Sequence, residues 1–535
     1  MFYRLLTFSE ALGKFNDFLW TYILVAVLLA CAVWFTLRTK GVQFRMIGEM
    51  FRLLGGSRKS GYRDIDRARA VAGNKRKISS FQAFAVSLAS SVGTGNLAGV
   101  AIAIAVGGPG AVFWMWVIAI MGSATAFIEA TLAQLFKQKS EGGFIGGPAY
   151  YIRRGLKNPF LAALFAVLLT ITFGLSYNSI QSNTIGDALV VAFNLNEILP
   201  YQINVFGVSV AAGKVLVGAV LAALSFTVVF GGIKRIAKVS GVLVPVMALA
   251  YLALALFVLV RHIDLIPSVF SLIFENAFGI GQVAGGGLGA TMMIGIKRGL
   301  FSNEAGEGSA PNVAATADVS HPVKQGLMQA LGVFVDTLVV CSCTAFIILF
   351  SGTHTSGDLS GIALTQAALE SEIGKFGTFF IAAAIFLFAF SSIIGNYYYG
   401  EANIRFLTKD RHRWILWMFR ALSGGLVVFV GACASLDYVW TVGDICMALL
   451  TLVNIFAIVQ LGKYAFRLLK DYRKQKKEGK DPSFKRSQLP DVDIDCWEDD
   501  LRYALDEGEA SADVKDFDPE SFLRGLKEES RKNNG

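Results

Sequence analysis

Charge is scarce in this sequence. Only 17% of its residues are Asp, Glu, Lys or Arg, where a soluble domain carries about a quarter. Histidine is nearly absent. The four present, His262, His321, His354 and His412, all fall in predicted loops, and no H-E-x-x-H occurs. That leaves a membrane-embedded zinc or haem enzyme without its ligands. There is no G-x-x-x-x-G-K-[ST] loop either, which removes an ATP-driven pump of that type. Six cysteines are present, five of them (Cys31, Cys341, Cys343, Cys433 and Cys446) in apolar runs and Cys496 in a polar tail. No spacing marks a disulfide framework. The Cys341-x-Cys343 pair is weighed as a metal pair, but cysteine in such helices behaves as a small hydrophobe. The chain is read as a non-enzyme.

What is abundant is apolar sequence. Mean hydropathy is +0.53 and 54% of residues are hydrophobic. They gather in stretches of about twenty, the length that crosses a bilayer. The net charge of +9 does not point to nucleic acid, because Lys and Arg sit beside the apolar runs as in cytoplasmic loops. The first run, Leu19 to Leu37, is followed by Arg38, Lys40 and Arg45. A cleaved signal peptide has its basic residues first, so this run reads as a true span with the N-terminus outside.

Eleven spans are predicted, near 19–37, 82–106, 110–136, 160–190, 213–231, 239–261, 267–296, 325–351, 376–404, 413–433 and 437–462. Every second loop is basic. Arg38 to Ser80 holds twelve Lys or Arg against three acids, whereas Asn194 to Ala212 holds no basic residue. The alternation puts the C-terminus inside. The chain divides into an extra helix and basic loop (1–80), a first set of five helices (81–262), a second set (263–462) and a charged tail (463–535). The tail reads as solvated and partly disordered, with a basic start that can touch anionic lipid.

Two spans look interrupted. The first carries Ser90, Ser91, Gly93, Thr94, Gly95 and Asn96 at its middle. The second carries Phe278-Gly279-Ile280-Gly281 and then Gly285-Gly286-Gly287 and Gly289. Such backbone in a membrane must line a cavity or pack on protein. Close packing of small residues explains one patch alone. Two patches, at matching places in sets of five that cross the membrane in opposite senses, point to a transporter site. A half-helix N-terminus suits a carboxylate, and half-helix carbonyls suit an ammonium or a sodium ion. A small amino acid needs both ends.

Several ordered blocks carry a resemblance. Gly107-Gly108-Pro109-Gly110-Ala111-Val112-Phe113-Trp114-Met115-Trp116, Gly146 to Tyr151, the stretch from Lys297 to Asp318, and Ser391 to Glu401 resemble the alanine/glycine:cation symporters. With the Ser90 to Asn96 patch they cover most of residues 80–460. The resemblance implies an all-α membrane protein with a LeuT-type five-plus-five inverted repeat. It implies sodium- or proton-driven uptake of alanine, glycine and sometimes D-alanine or serine across a bacterial inner membrane. It places the substrate carboxylate at Thr94, Gly95 and Asn96, with Gln181, Phe278 and Gly286 as further contacts. It places a sodium ion among Ser90, Gly93, Ser391 and Ser392. Many members carry Trp where this chain has Asn396, which leaves substrate size open. Sodium or a proton is the coupling ion, with no other cofactor, and the partners are a small amino acid and the lipid bilayer, with no nucleic acid and no obligate protein partner.

Intramembrane carboxylates are functional candidates by default. Asp336 is weighed as a cation ligand or proton carrier against a structural hydrogen bond. Glu129 is read as holding its helix against an unwound segment. Glu304 and Glu307 fall in a cytoplasmic loop, either solvated or paired with Lys297 or Arg298. Trp114 and Trp116 read as interfacial anchors, and Tyr397 to Tyr399 as packing aromatics rather than a gate. A channel is the rival class; saturable flux tied to a co-ion gradient separates the two.

Overall fold

The computed structural model describes residues 2–55, 78–140, 143–205, 207–230, 233–278, 287–409 and 411–497. Almost all of it is helix. Among the described residues eight helices are long and apolar enough to cross a membrane, ten when each bent pair counts as one span. The expected spans 239–261 and 267–296 meet at a 77° bend between Val246–Arg261 and Ile263–Phe278. They are counted as one in that reckoning. The second continues in Gly287–Asn303, and residues 279–286 between lie outside the described set.

The bundle is apolar outside and keeps its membrane-depth polar groups within. Along Ala212–Phe230 the exposed residues Leu216, Val220 and Leu224 recur every four positions, one outward stripe of a helix. Thr94, Asn96, Glu129, Gln181, Asp336 and Asp444 are all buried instead. Lipid accepts the stripe, and polar groups find partners only inside.

Helices at matching places in the two sets of five pack on each other. Ala111–Leu135 lies along Pro322–Val333, and Ser123 Oγ donates to the Ala330 carbonyl at 3.0 Å. Pro159–Ala192 lies along Lys375–Thr408. Small residues set these approaches. On Gly287–Asn303, Gly295 and Gly299 share one face, against Ala111, Trp114, Met115 and Ile118. Gly174 and Gly400 clasp the Phe419 ring from two helices.

The extra helix, Glu10–Arg38, packs on the last one, Leu436–Lys477, and Trp20 Nε1 donates to the Asp444 carbonyl at 3.2 Å. Under that contact lies a buried ion triad. Asp444 pairs with Arg298 and, at 3.4 Å, with Lys297. The guanidinium carbon of Arg298 stands 4.3 Å from the centre of the Trp440 ring.

The described part of the tail, up to Trp497, is not the solvated segment expected, and residues 498–535 lie outside the described set. Residues 463–477 continue the last helix. Residues 478–497 then fold back, burying Phe484, Leu489, Val492, Ile494 and Trp497. Phe484 N–H donates to the Ser320 carbonyl at 2.8 Å, and Trp497 Nε1 to the Gln134 carbonyl at 3.2 Å. Apolar residues spaced among the charges drive this docking, and the overall charge of the segment hid them.

Removing one member of a buried ion group strands the others. Asp444→Asn is expected to lower stability by about 3–5 kcal/mol, read as thermal unfolding in detergent. Lys214→Ala breaks the half-exposed Lys214–Asp187 pair and should cost no more than about 1 kcal/mol.

Candidate substrate and cation site

The first break starts from a well-capped helix. Ser79 and Gln82 form a reciprocal capping box at the head of Ser80–Ser91, which fixes its start. Val92 then turns extended, and the chain resumes at Gly95 with a widened turn, Gly95–Gly99, ahead of Val100–Gly107. The two halves meet at 51°.

Several backbone groups at the break are met by side chains. Gly93 N–H donates to Asn96 Oδ1 at 2.8 Å. Thr94 N–H and Thr94 Oγ1 both donate to Gln181 Oε1, at 3.1 and 2.6 Å. The Ser90 carbonyl accepts Ser392 Oγ at 2.9 Å, and the Ala89 carbonyl accepts Ser391 Oγ at 3.3 Å. The Leu97 carbonyl accepts Thr365 Oγ1 at 3.0 Å.

Asn96 ties this break to the second set of helices. Its Nδ2 donates to Asp336 Oδ1 at 2.8 Å and to Ser302 Oγ at 3.0 Å. Ser302 Oγ donates to Asp336 Oδ2 at 2.6 Å, and Thr337 Oγ1 to the same oxygen at 3.0 Å. Asp336 sits in another widened turn, Phe334–Cys341. Widened turns of this kind gather at functional sites.

The structure thus brings together Ser90, Gly93, Thr94, Gly95, Asn96, Gln181, Asp336, Ser391 and Ser392. It does not bring Phe278 to them: that ring is half-exposed and packs on Phe113 and Trp114, 4.7 and 5.8 Å between centroids. Gly286 lies outside the described residues. The carbonyls of Ala89 and Ser90 with the hydroxyls of Ser391 and Ser392 form an all-oxygen set, the chemistry a hard cation such as sodium takes.

Glu304 and Glu307 require a correction. They are neither solvated nor paired with Lys297 or Arg298, which turn to Asp444. Both are buried. Glu304 accepts Ser309 Oγ, and Glu307 Oε2 accepts Tyr177 OH at 2.9 Å. Glu129 accepts Gly306 N–H at 3.1 Å and also Asn454 Nδ2. The loop turns back through positive φ at Glu304, Gly306 and Gly308, which folds it into the bundle. Trp116 also does more than anchor, since its Nε1 donates to Ser342 Oγ at 2.8 Å. Tyr397 and Tyr399 are buried, and Tyr397 OH meets Glu401 and Arg420.

Ser302, Thr337, Asn454 and Asp444 were not singled out from sequence. Asp444 had a signal, as an acid inside an apolar run. Ser302 and Asn454 are common polar residues whose partners include ones far along the chain, and Thr337 meets its own neighbour Asp336.

Two sets of helices around a broken, polar centre define a secondary transporter of the LeuT-type fold. A solved structure of MhsT in complex with L-phenylalanine shares that fold, with a TM-score of 0.52 at 14% identity over 79% of this chain and 94% of that one. The sodium:alanine symporter family matches residues 6–486, and the chain belongs to that family. A probable sodium/glutamine symporter, GlnT of Bacillus subtilis, is 48% identical over 91% of this chain and 96% of its own. The amino-acid carrier protein AlsT of the same organism is 46% identical over 93% and 99%. A sodium/proton-dependent alanine carrier protein of Bacillus sp. PS3 is 38% identical over 79% and 94%. These findings support amino-acid symport coupled to sodium or protons.

Gly93 has no room for a side chain: a Cβ there would lie 2.6 Å from Ser392 Oγ and 3.2 Å from Gln181 Oε1. Gly93→Ala should cost about 1–3 kcal/mol of stability through overpacking and reduce coupled transport. Gly332→Ala, whose Cβ would meet only Phe84 at 3.5 Å, should leave both unchanged. Thermal unfolding and uptake on the same preparations check the contrast.

Proposed function

We propose that the protein imports a small neutral amino acid, alanine or glycine and by extension D-alanine or serine, together with sodium by alternating access. The observation that carries this reading is the exchangeable cap on the break. Thr94 N–H and Oγ1 both point at one amide oxygen, Gln181 Oε1. A substrate carboxylate offers the same acceptor with a full charge, at the positive end of the half-helix that follows. Sodium takes the oxygens of Ala89, Ser90, Ser391 and Ser392, one turn before the break. Ion and substrate then meet the same broken helix on either side of its break, the ion at Ala89 and Ser90 and the substrate at Thr94, so each stabilises the geometry the other needs, which is coupling. Asn96 is a positioning residue: it holds Gly93 and answers to Asp336. The site opens alternately to the outside, where the N-terminus lies, and to the cytoplasm of the bacterial cell, where the basic loops and the C-terminus lie.

A second reading concerns substrate size. Asn396 lies one helical turn beyond Ser392 and is buried, with no partner for Nδ2 among the described residues. A small polar side chain where the family often has Trp favours a longer, amide-bearing substrate, and glutamine is the amino acid of that description.

Uptake of labelled L-alanine, glycine and L-glutamine into proteoliposomes, with and without an inward sodium gradient, tests both. Saturable, sodium-driven alanine uptake is expected, reduced roughly ten- to a hundredfold in Asn96→Ala, which leaves the buried Asp336 carboxylate short of a donor. Glutamine uptake without alanine or glycine uptake would replace the small-substrate reading, and Asn396→Trp should then abolish it. Uptake unchanged in potassium medium but driven by an acid exterior would move the coupling to protons. Flux that never saturates would return the channel.

A further inference from the structure

A dense patch of positive charge lies away from the transport path. After Arg38 the chain turns through Thr39 to Gly41 into two short helices, Val42–Arg45 and Ile47–Leu54. The extension of the last helix runs beside them. Between the two is a pocket walled by Arg38, Lys40 and Arg45 on one side and Arg473, Lys474 and Lys477 on the other. Its lining holds eight Lys or Arg against two carboxylates, Asp471 and Glu478.

Both carboxylates are engaged elsewhere. Asp471 meets His321 Nε2 at 3.3 Å and accepts Gln475 Nε2 at 2.7 Å. Glu478 takes Lys480 Nζ at 2.9 Å. Among the described residues Lys40, Arg45, Lys474 and Lys477 form no ion pair. Arg473 stands close enough to Arg45 to feel its like charge, and its Nη2 donates to the Thr39 carbonyl at 3.0 Å. Like charges held together this way favour a bound anion.

The surroundings say which anion. The pocket opens where a bilayer-spanning helix ends. Trp34 and Leu37, the last apolar residues of that helix, are exposed, and the Arg38 guanidinium carbon lies 5.3 Å from the Trp34 ring centre. Phe44, Ile47 and Phe51 are exposed too. Ile47 and Phe51, four apart, lie along one face of Ile47–Leu54, as in helices that lie in the membrane interface. A cationic pocket joined to a lipid-facing apolar surface fits a molecule with a phosphate at one end and hydrocarbon at the other.

We propose that this pocket is a binding site for an anionic phospholipid, its phosphate held between Arg45 on one wall and Lys474 and Lys477 on the other and its acyl chains lying on Trp34, Leu37, Phe44 and Phe51. Guanidinium groups match phosphate oxygens in pairs, and lysines add point charge. The lipid would clasp the extra helix to the last one, neither of which supplies a ligand to the central site.

Native mass spectrometry of the full-length protein in detergent, titrated with phosphatidylglycerol or phosphatidylcholine, tests this. Phosphatidylglycerol should be retained at least about tenfold more strongly. Arg45→Gln/Lys474→Gln/Lys477→Gln should erase that preference and leave phosphatidylcholine retention alone. Equal retention of the two lipids by the wild type overturns the proposal, as does an unchanged preference in the folded triple variant. Should that variant fail to fold, the wild-type ratio and the single Lys477→Gln change, at an exposed rim position, decide. Displacement of phosphatidylglycerol by millimolar inorganic phosphate would mark a free-anion site and overturn the lipid assignment.

Discussion

An open backbone inside a membrane has no water to turn to, and the bundle is arranged around that constraint. Between Ala89 and Gly95 the first broken helix leaves N–H and C=O groups unpaired by its own turn. Gln181, Asn96, Ser391 and Ser392 meet them, and each of the three that lie outside the break comes from a distant helix. The break therefore exists only while those helices stand where they do. Asn96 is the joint. Through Ser302 and Asp336 it fastens the broken helix to both Gly287–Asn303 and the helix after it.

The same rule governs the other buried polar groups. Asp444 holds two cations, so the charges of Lys297 and Arg298 are neutralised inside the bundle. Glu129 and Asn454 clamp the loop around Gly306 from two helices. These contacts join elements more than a hundred residues apart in the chain. Buried polar contacts suit the movement a transporter makes. A satisfied network holds one arrangement firmly, yet it can be exchanged for ligand or ion contacts of equal chemistry. Small residues complete the mechanism. Gly93, Gly95 and Gly395 let backbones and hydroxyls approach to distances that any side chain would forbid.

Much of this was legible in the residues. Apolar runs marked the spans, and basic loops ordered them. The polar, glycine-rich run Ser90 to Asn96 marked the first break, because such residues at mid-membrane have no other explanation that also accounts for a matching run at Phe278 to Gly289. The family blocks added Gln181, Ser391 and Ser392, which do meet the break. What misled was local reading of charge. Glu304 and Glu307 follow Lys297 and Arg298 closely, so a loop ion pair looked natural; the positive-φ turns at Gly306 and Gly308 instead carry the acids inward, and the cations find Asp444 (146 residues away for Arg298). The tail looked solvated by composition, although a few apolar residues were enough to dock its described part, residues 478–497.

The division has a physical reason. Hydropathy, glycine content and loop charge are properties of a segment against its solvent, lipid or water, and the sequence by itself determined them: a polytopic all-helical membrane protein with a broken helix at Ser90 to Asn96. Which buried group answers which is a property of pairs. Asn96 with Asp336, Thr94 with Gln181, Asp444 with Arg298 and Glu129 with Gly306 are separated by long stretches of chain, and each partner is an ordinary residue by itself. Only the packed bundle, where a polar atom without a partner is costly, decided those pairings.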